Sequence, residues 1–328
     1  MRIHRGFLGW GILLILAGAV PLAVQAGAVS VDQLRDVGRL WPLILVGIGV
    51  GLLLSRTGYG FIGGLIVAAT FGLMLGALLA GGVAAFGGGC GSGAGTASFP
   101  LREGRFTNTS ASVDLELTCG DLAVVVAGGN GWNVNGQDRD GAGPNLVSGN
   151  DSLSVRSRAS NDGPFDLLGS RETWNVTLPD AAQLDADMTL NAGSSQLNLA
   201  GASLGAFHTT LNAGSATLDL GSVKRLDSLR IELNAGSIGL TLPNLSLSGS
   251  IEVNAGSVKL CVAPGPGLRI QTDESIVASY DFEGAGLTKH GSTWQTPGFD
   301  AADVKIDLRA QANAGSMSLN RSGTACNG

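Results

Sequence analysis

The 328-residue sequence predicts two unlike parts. The first is a set of three N-terminal transmembrane α-helices. The second is an all-β C-terminal domain built as a β-solenoid, a parallel β-helix with coils of about 20 residues. Three observations predict this. Long charge-free apolar segments fill the N-terminal third, Asn-Ala-Gly-Ser recurs at near-constant spacing beyond it, and apolar residues alternate on both sides of each copy.

The apolar segments run over residues 7–27, 40–54 and 61–86, within a membrane domain of residues 1–86, and none contains Asp, Glu, Lys, Arg or His. A continuous helix of about 20 apolar residues matches the hydrocarbon thickness of a bilayer. The segments are apolar all round, whereas a helix on a soluble core is amphipathic. Arg2, Arg5 and Arg56 stand against Arg35 and Arg39, which places the N-terminus inside and the C-terminal part outside. Val24-Gln25-Ala26 offers a peptidase site, and cleavage there would leave the C-terminal part outside as well. The expected location is therefore the cell membrane, multi-pass, with an extracytoplasmic C-terminal domain. Small residues four apart, such as Gly47 and Gly51 or Gly72 and Gly76, suit close helix packing, within the unit or between copies. The lack of ionisable residues in these segments argues against a transporter or channel.

Gly9-Trp10-Gly11-Ile12-Leu13-Leu14-Ile15-Leu16 and Leu40-Trp41-Pro42-Leu43-Ile44-Leu45-Val46-Gly47 resemble the two-helix membrane unit of the LiaI/LiaF-like family, over residues 6–57. A third apolar segment departs from its simplest form.

Residues 87–99 form a Gly-rich linker containing Cys90. Its setting lacks the leucine expected before a lipidated cysteine. Beyond the linker the chain is acidic: residues 95–328 carry fifteen Lys/Arg against twenty-four Asp/Glu, a net charge of −9. That excludes a nucleic-acid partner, which needs a basic surface.

The solenoid is expected over residues 100–322, with a short tail at 323–328. Its corners begin at Asn191, Asn212, Asn234, Asn254 and Asn313, each with a glycine two residues on: Gly193, Gly214, Gly236, Gly256 and Gly315. Asn and Gly both suit tight corners. A leucine follows each Asn by six residues: Leu197, Leu218, Leu240, Leu260 and Leu319 are the expected core. The last gap, from 254 to 313, reads as nearly three coils. Thr118-Cys119-Gly120-Asp121 is a drifted earlier corner. Asn-Ala-Gly-Ser reads either as a ligand row or as a structural corner with an Asn ladder, and turn chemistry alone suffices for the second. This region resembles the toastrack, adhesin-type β-helical domains of bacterial envelope proteins. The resemblance implies an envelope role and a link to envelope-stress signalling, by analogy only.

Catalytic constellations are scarce. His208 precedes a repeat corner and reads as a surface residue; Asp185 and Asp187 have no counterparts one coil later. Asn133, Asn135, Asp138 and Asp140 lie in a Gly-rich stretch without a calcium-loop spacing. No cofactor is expected. Cys90, Cys119, Cys261 and Cys326 can form disulfides in an oxidising compartment, with the pairing open. The expected function is a non-enzymatic, membrane-anchored envelope protein that senses or scaffolds in a stress response. The alternatives are a cell-surface adhesin or glycan-binding module, and then a polysaccharide-active enzyme. The expected partners are membrane lipid, membrane or envelope proteins, and further copies of the chain.

Overall fold

The computed structural model describes residues 11, 13–19, 42–53, 61–81, 97–158, 171–273 and 277–321. Two compact units emerge, Met1–Gly89 and Cys90–Gly328.

In the first unit, helices α1 (Pro42–Leu53) and α2 (Phe61–Gly81) pack on each other. No helix among the described residues is long and apolar enough to cross a membrane. Three membrane spans and the multi-pass location inferred from them are therefore overturned. Length is the physical reason for α1, whose 12 residues reach ~18 Å against ~30 Å of hydrocarbon. The described side chains of α2 cover only residues 64–75 and include Thr70, which donates to the Ile66 carbonyl at 2.8 Å. Of the first expected span, only residues 11 and 13–19 are described, and they are helical. Part of the apolar composition serves helix packing: a Cβ on Gly72 would lie 2.8 Å from the Leu13 carbonyl oxygen. Leu14, Ile15, Leu52 and Leu53 remain exposed.

The second unit is a single sheet system of sixteen strands. They are β1 (Ala97–Arg105), β2 (Ser110–Ala127), β3 (Gly131–Asp138), β4 (Asn145–Ser148), β5 (Ser152–Arg156), β6 (Glu172–Pro179), β7 (Gln183–Asn198) and β8 (Ser203–Leu211), then β9 (Gly214–Asp219), β10 (Arg225–Leu242), β11 (Leu247–Val262), β12 (Gly267–Thr272), β13 (Ala278–Asp281), β14 (Thr288–His290), β15 (Thr293–Gln295) and β16 (Lys305–Asn320).

The long strands stack in parallel and in register: β2 on β7, β7 on β8 and β9, these on β10, then β11, then β16. Each makes one coil, with an arm before the corner and an arm after it. Period-2 alternation turns one side of each arm inward. Thus Leu229, Ile231 and Leu233 before the corner, and Ile238, Leu240 and Leu242 after it, join one buried cluster. Each fully buried leucine contributes ~2 kcal/mol by transfer, and stacking supplies the partners that a lone coil lacks.

Both ends of the stack depart from chain order. β5 and β6 lie outside β2, although they follow it in sequence. At the other end β16 pairs with β11 on one side and with β12 and β13 on the other. The 59-residue gap between Asn254 and Asn313 is therefore one coil step, not three. The intervening segment folds outside the last repeat coil.

Candidate functional site

The corners come first, because they set the register of everything else. Asn212 Nδ2 donates to Asn191 Oδ1, Asn234 to Asn212, Asn254 to Asn234 and Asn313 to Asn254, each at 2.6 Å. The five amides form a continuous ladder up the stack, with hydrogen bonds spent on one another. Beside it runs the glycine column of Gly193, Gly214, Gly236, Gly256 and Gly315. Gly214 has φ 130° and Gly236 φ 124°. A Cβ on Gly236 would overlap the carbonyl oxygen of Gly214, and one on Gly214 that of Gly193. Only glycine fits so close a backbone approach. The drifted corner joins the column: Cys119 pairs with Ala192 and Gly120 with Gly193. Ser194 Oγ donates to Asp121 Oδ1 at 2.6 Å. Of the five leucines six residues on, Leu197, Leu218, Leu240 and Leu260 are buried, while Leu319 is half-buried on the last repeat coil.

Register then decides which outer side chains meet. Four residues before each corner Asn stand Asp187, His208, Arg230, Ser250 and Arg309, adjacent coil by coil, with Asp114 before them and Gln271 after. Six residues before stand Asp185, Ala206, Ser228, Ser248 and Asp307; two before stand Thr189, Thr210, Glu232, Glu252 and Gln311.

These columns line a recess of about 670 Å³ across the middle coils, with His208, Arg230, Arg309 and Asp307 beside the small residues Ser228, Ser248, Gly249 and Ser250. Gln271 and Asp307 also line a second recess of about 430 Å³, together with Arg269, His290, Thr293 and Gln295. Sequence reasoning missed this groove, because residues at one offset from their corners meet only once their coils are known to be adjacent.

Most charges on this face are paired. The Arg269 guanidinium bonds Asp307, and His208 Nδ1 lies 3.1 Å from Asp187 Oδ2. Arg156 Nη2 donates to Asp114 at 2.6 Å, and Asp185 accepts the Ala206 N–H at 2.8 Å. Arg230 and Arg309 are exposed and belong to no ion pair among the described residues. Ser250 sits between them on the intervening coil.

One array on this face has a catalytic look. Asp187, His208 and Thr210 are in line, with His208 Nε2 3.4 Å from Thr210 Oγ1. The backbone N–H groups of β8 are engaged in pairing with a neighbouring coil on both sides.

The remaining candidates are spent locally. Asp138 accepts from the Gly143 N–H at 2.7 Å and from that of Gly141; Asn175 donates to Asn135 at 3.3 Å. Asn133 lies on β3, and Asp140 caps the Ala142 N–H at 3.1 Å. No group of three or more His, Cys, Asp or Glu among the described residues is placed to hold a metal ion. Glu172 is buried beside Asp138, and burial pushes its carboxyl above the usual carboxylate range against hydrogen bonds from Ser157 and Trp174. Cys119 and Cys261 are each disulfide-bonded. They lie on β2 and β11, four coils apart or ~19 Å, too far to bond each other. Cys90 and Cys326 lie outside the described residues.

No known protein family matches the chain, and no curated protein matches it. Among solved structures it is similar to a candidate cell adhesion protein of Clostridium sporogenes, at 12% identity and a TM-score of 0.43, covering 70% of this chain and 100% of that one. It is also similar to a candidate adhesin of Bacteroides fragilis, at 8% identity and a TM-score of 0.27, covering 67% and 96%. At these scores neither likeness transfers a fold or a function, and the architecture rests on the strand pairing.

Proposed function

We propose that the β stack is a non-enzymatic binding module of adhesin type, whose ligand lies in the groove before the corners. One observation carries this reading: two guanidiniums without ion-pair partners flank Ser250 in a serine-lined recess. Arg156, Arg171 and Arg269, by contrast, each find a carboxylate partner within the sheet. An exposed polar recess whose cations form no ion pair among the described residues is arranged for a ligand that the chain does not supply. A scaffold for another protein would be expected to offer aromatic or large apolar anchors. Here the apolar lining residues Phe207, Leu229 and Leu308 are buried.

The test is attachment of the labelled full chain to intact bacterial surfaces, with Ser250→Trp filling the recess. A loss of about tenfold or more in apparent affinity, with an unchanged melting curve, is the expected result. Undiminished attachment by Ser250→Trp would sink the reading.

A further inference from the structure

We infer that the groove takes a linear acidic polysaccharide, a uronic-acid ribbon lying along the stack axis, with carboxylates on Arg230 and Arg309. The inference rests on the binding-module reading and adds the ligand's chemistry, direction and charge spacing.

Spacing is the first argument. Arg230 and Arg309 occupy the same column two coils apart, a separation of about 10 Å at ~4.8 Å per strand. In a β-1,4-linked ribbon, alternate sugar units turn the same edge to one side. One unit then spans about one coil, and every second carboxylate meets a guanidinium. Arg suits a carboxylate because its fork donates two parallel hydrogen bonds.

The flanking columns supply the second argument. On one side of the Arg column stand Ser228 and Ser248, with Ser250 between the two guanidiniums; on the other side stand Glu232 and Glu252. Serine hydroxyls donate or accept, and carboxylates accept from sugar hydroxyls. A two-fold ribbon fits this order with its edges on the Arg and serine columns: carboxylate, hydroxyls and carboxylate meet Arg230, Ser250 and Arg309, and the carboxylate of the unit between turns to the serine side at Ser248. A densely charged polyanion does not, because it would meet Glu232 and Glu252 in a domain of net charge −9.

Shape is the third. The inward column Phe207, Leu229, Gly249, Leu308 and Ile270 loses its side chain at Gly249, whose half-exposed backbone lines the recess between the two arginines. A Cβ there would lie 2.8 Å from the Leu229 carbonyl oxygen.

The experiment titrates the full chain with β-1,4-mannuronate oligomers of two, three and six units, their methyl esters, and a glycerol-phosphate polymer. Arg230→Gln, Arg309→Gln and the double variant are compared with Arg105→Gln, an exposed charge on β1. The trimer and hexamer should bind and the dimer should bind much more weakly, since it cannot reach both guanidiniums. Each groove variant should lose about tenfold, and Arg105→Gln should lose nothing. Equal binding of acid and ester overturns the acidic class. Tighter binding of the glycerol-phosphate polymer overturns the uronate in favour of phosphate. Equal loss in Arg105→Gln reduces the effect to general charge and overturns the site. If no oligomer binds while Ser250→Trp still abolishes surface attachment, the ligand chemistry fails and the module stands. If Ser250→Trp changes nothing, both fail.

Discussion

The two arms of each coil share one corner and one core, yet one outward column on each differs sharply in chemistry. After the corner, the first outward position is serine in every repeat: Ser194, Ser215, Ser237, Ser257 and Ser316. Before the corner, the column four residues from each Asn runs Asp187, His208, Arg230, Ser250 and Arg309, a different chemistry at nearly every step. Both faces are built from the same parallel ladder, so strand pairing does not require the difference. A column that only has to be wet beside the corner can repeat one small hydroxyl, although the next outward column on that arm varies as Gln196, Thr217, Gly239, Lys259 and Ser318. A face that recognises something needs distinct groups at distinct heights, and the stack supplies the heights at ~4.8 Å intervals.

The largest effect should come from breaking the corner that both faces share. Gly236→Ala places a Cβ against the Gly214 carbonyl oxygen at a φ of 124°. The expected cost is about 3 kcal/mol or more from backbone strain and lost pairing. Denaturant unfolding measures it, and a loss under half that size would mean the corners relax independently. Asn234→Ala should come next. It removes two ladder bonds and leaves Asn212 and Asn254 short of partners, at a cost of about 2 kcal/mol. Asn234→Asp keeps the acceptor for Asn254 but turns a second acceptor onto Asn212 Oδ1, so it should cost at least as much as Asn234→Ala.

The faces themselves should then separate. Arg230→Gln and Ser237→Ala are surface changes, each expected within about 0.5 kcal/mol of the parent in stability. Only Arg230→Gln should weaken attachment to bacterial surfaces. If Arg230→Gln destabilises as much as Asn234→Ala, the charged face is structural and the contrast between the faces collapses.

The corners were legible in the sequence because stacking requires equivalent residues to recur at one coil's length, and Asn191, Asn212, Asn234 and Asn254 do so. Asn313 was misread as three coils away because residue spacing counts every residue, whereas stacking counts coils. β12 and β13 lie outside β16 and consume the gap. In the N-terminal third, composition stated the apolarity but not the length of continuous helix, and Pro42–Leu53 is short. The groove had a signal too. His208, Arg230 and Arg309 share one offset from their asparagines, but an offset becomes a surface only once the coils are known to be adjacent.

The smallest predicted effect concerns a charge hidden where the corner line meets the end of the stack. Glu172 pairs with Gly120, so it holds the corner position on the covering strand β6, below the asparagine ladder. It is buried, and it accepts a hydrogen bond from Trp174 Nε1 at 2.7 Å. Burial raises its pKa first, the neighbouring Asp138 adds to this, and hydrogen bonds from Ser157 and Trp174 oppose it. A carboxyl whose pKa is higher folded than unfolded binds its proton more tightly in the folded state. Stability therefore rises as pH falls through the folded pKa, and the gain is complete below the unfolded value. At neutral pH the ionised group is a cost. Glu172→Gln keeps an acceptor for Trp174 and removes the charge, so it should be the more stable protein at pH 7, with the advantage shrinking towards pH 4. Paired melting curves at the two pH values decide it. An advantage that stays constant with pH would assign the effect to packing rather than to charge, and this end of the corner line would then be as insensitive to pH as the serine face beside it.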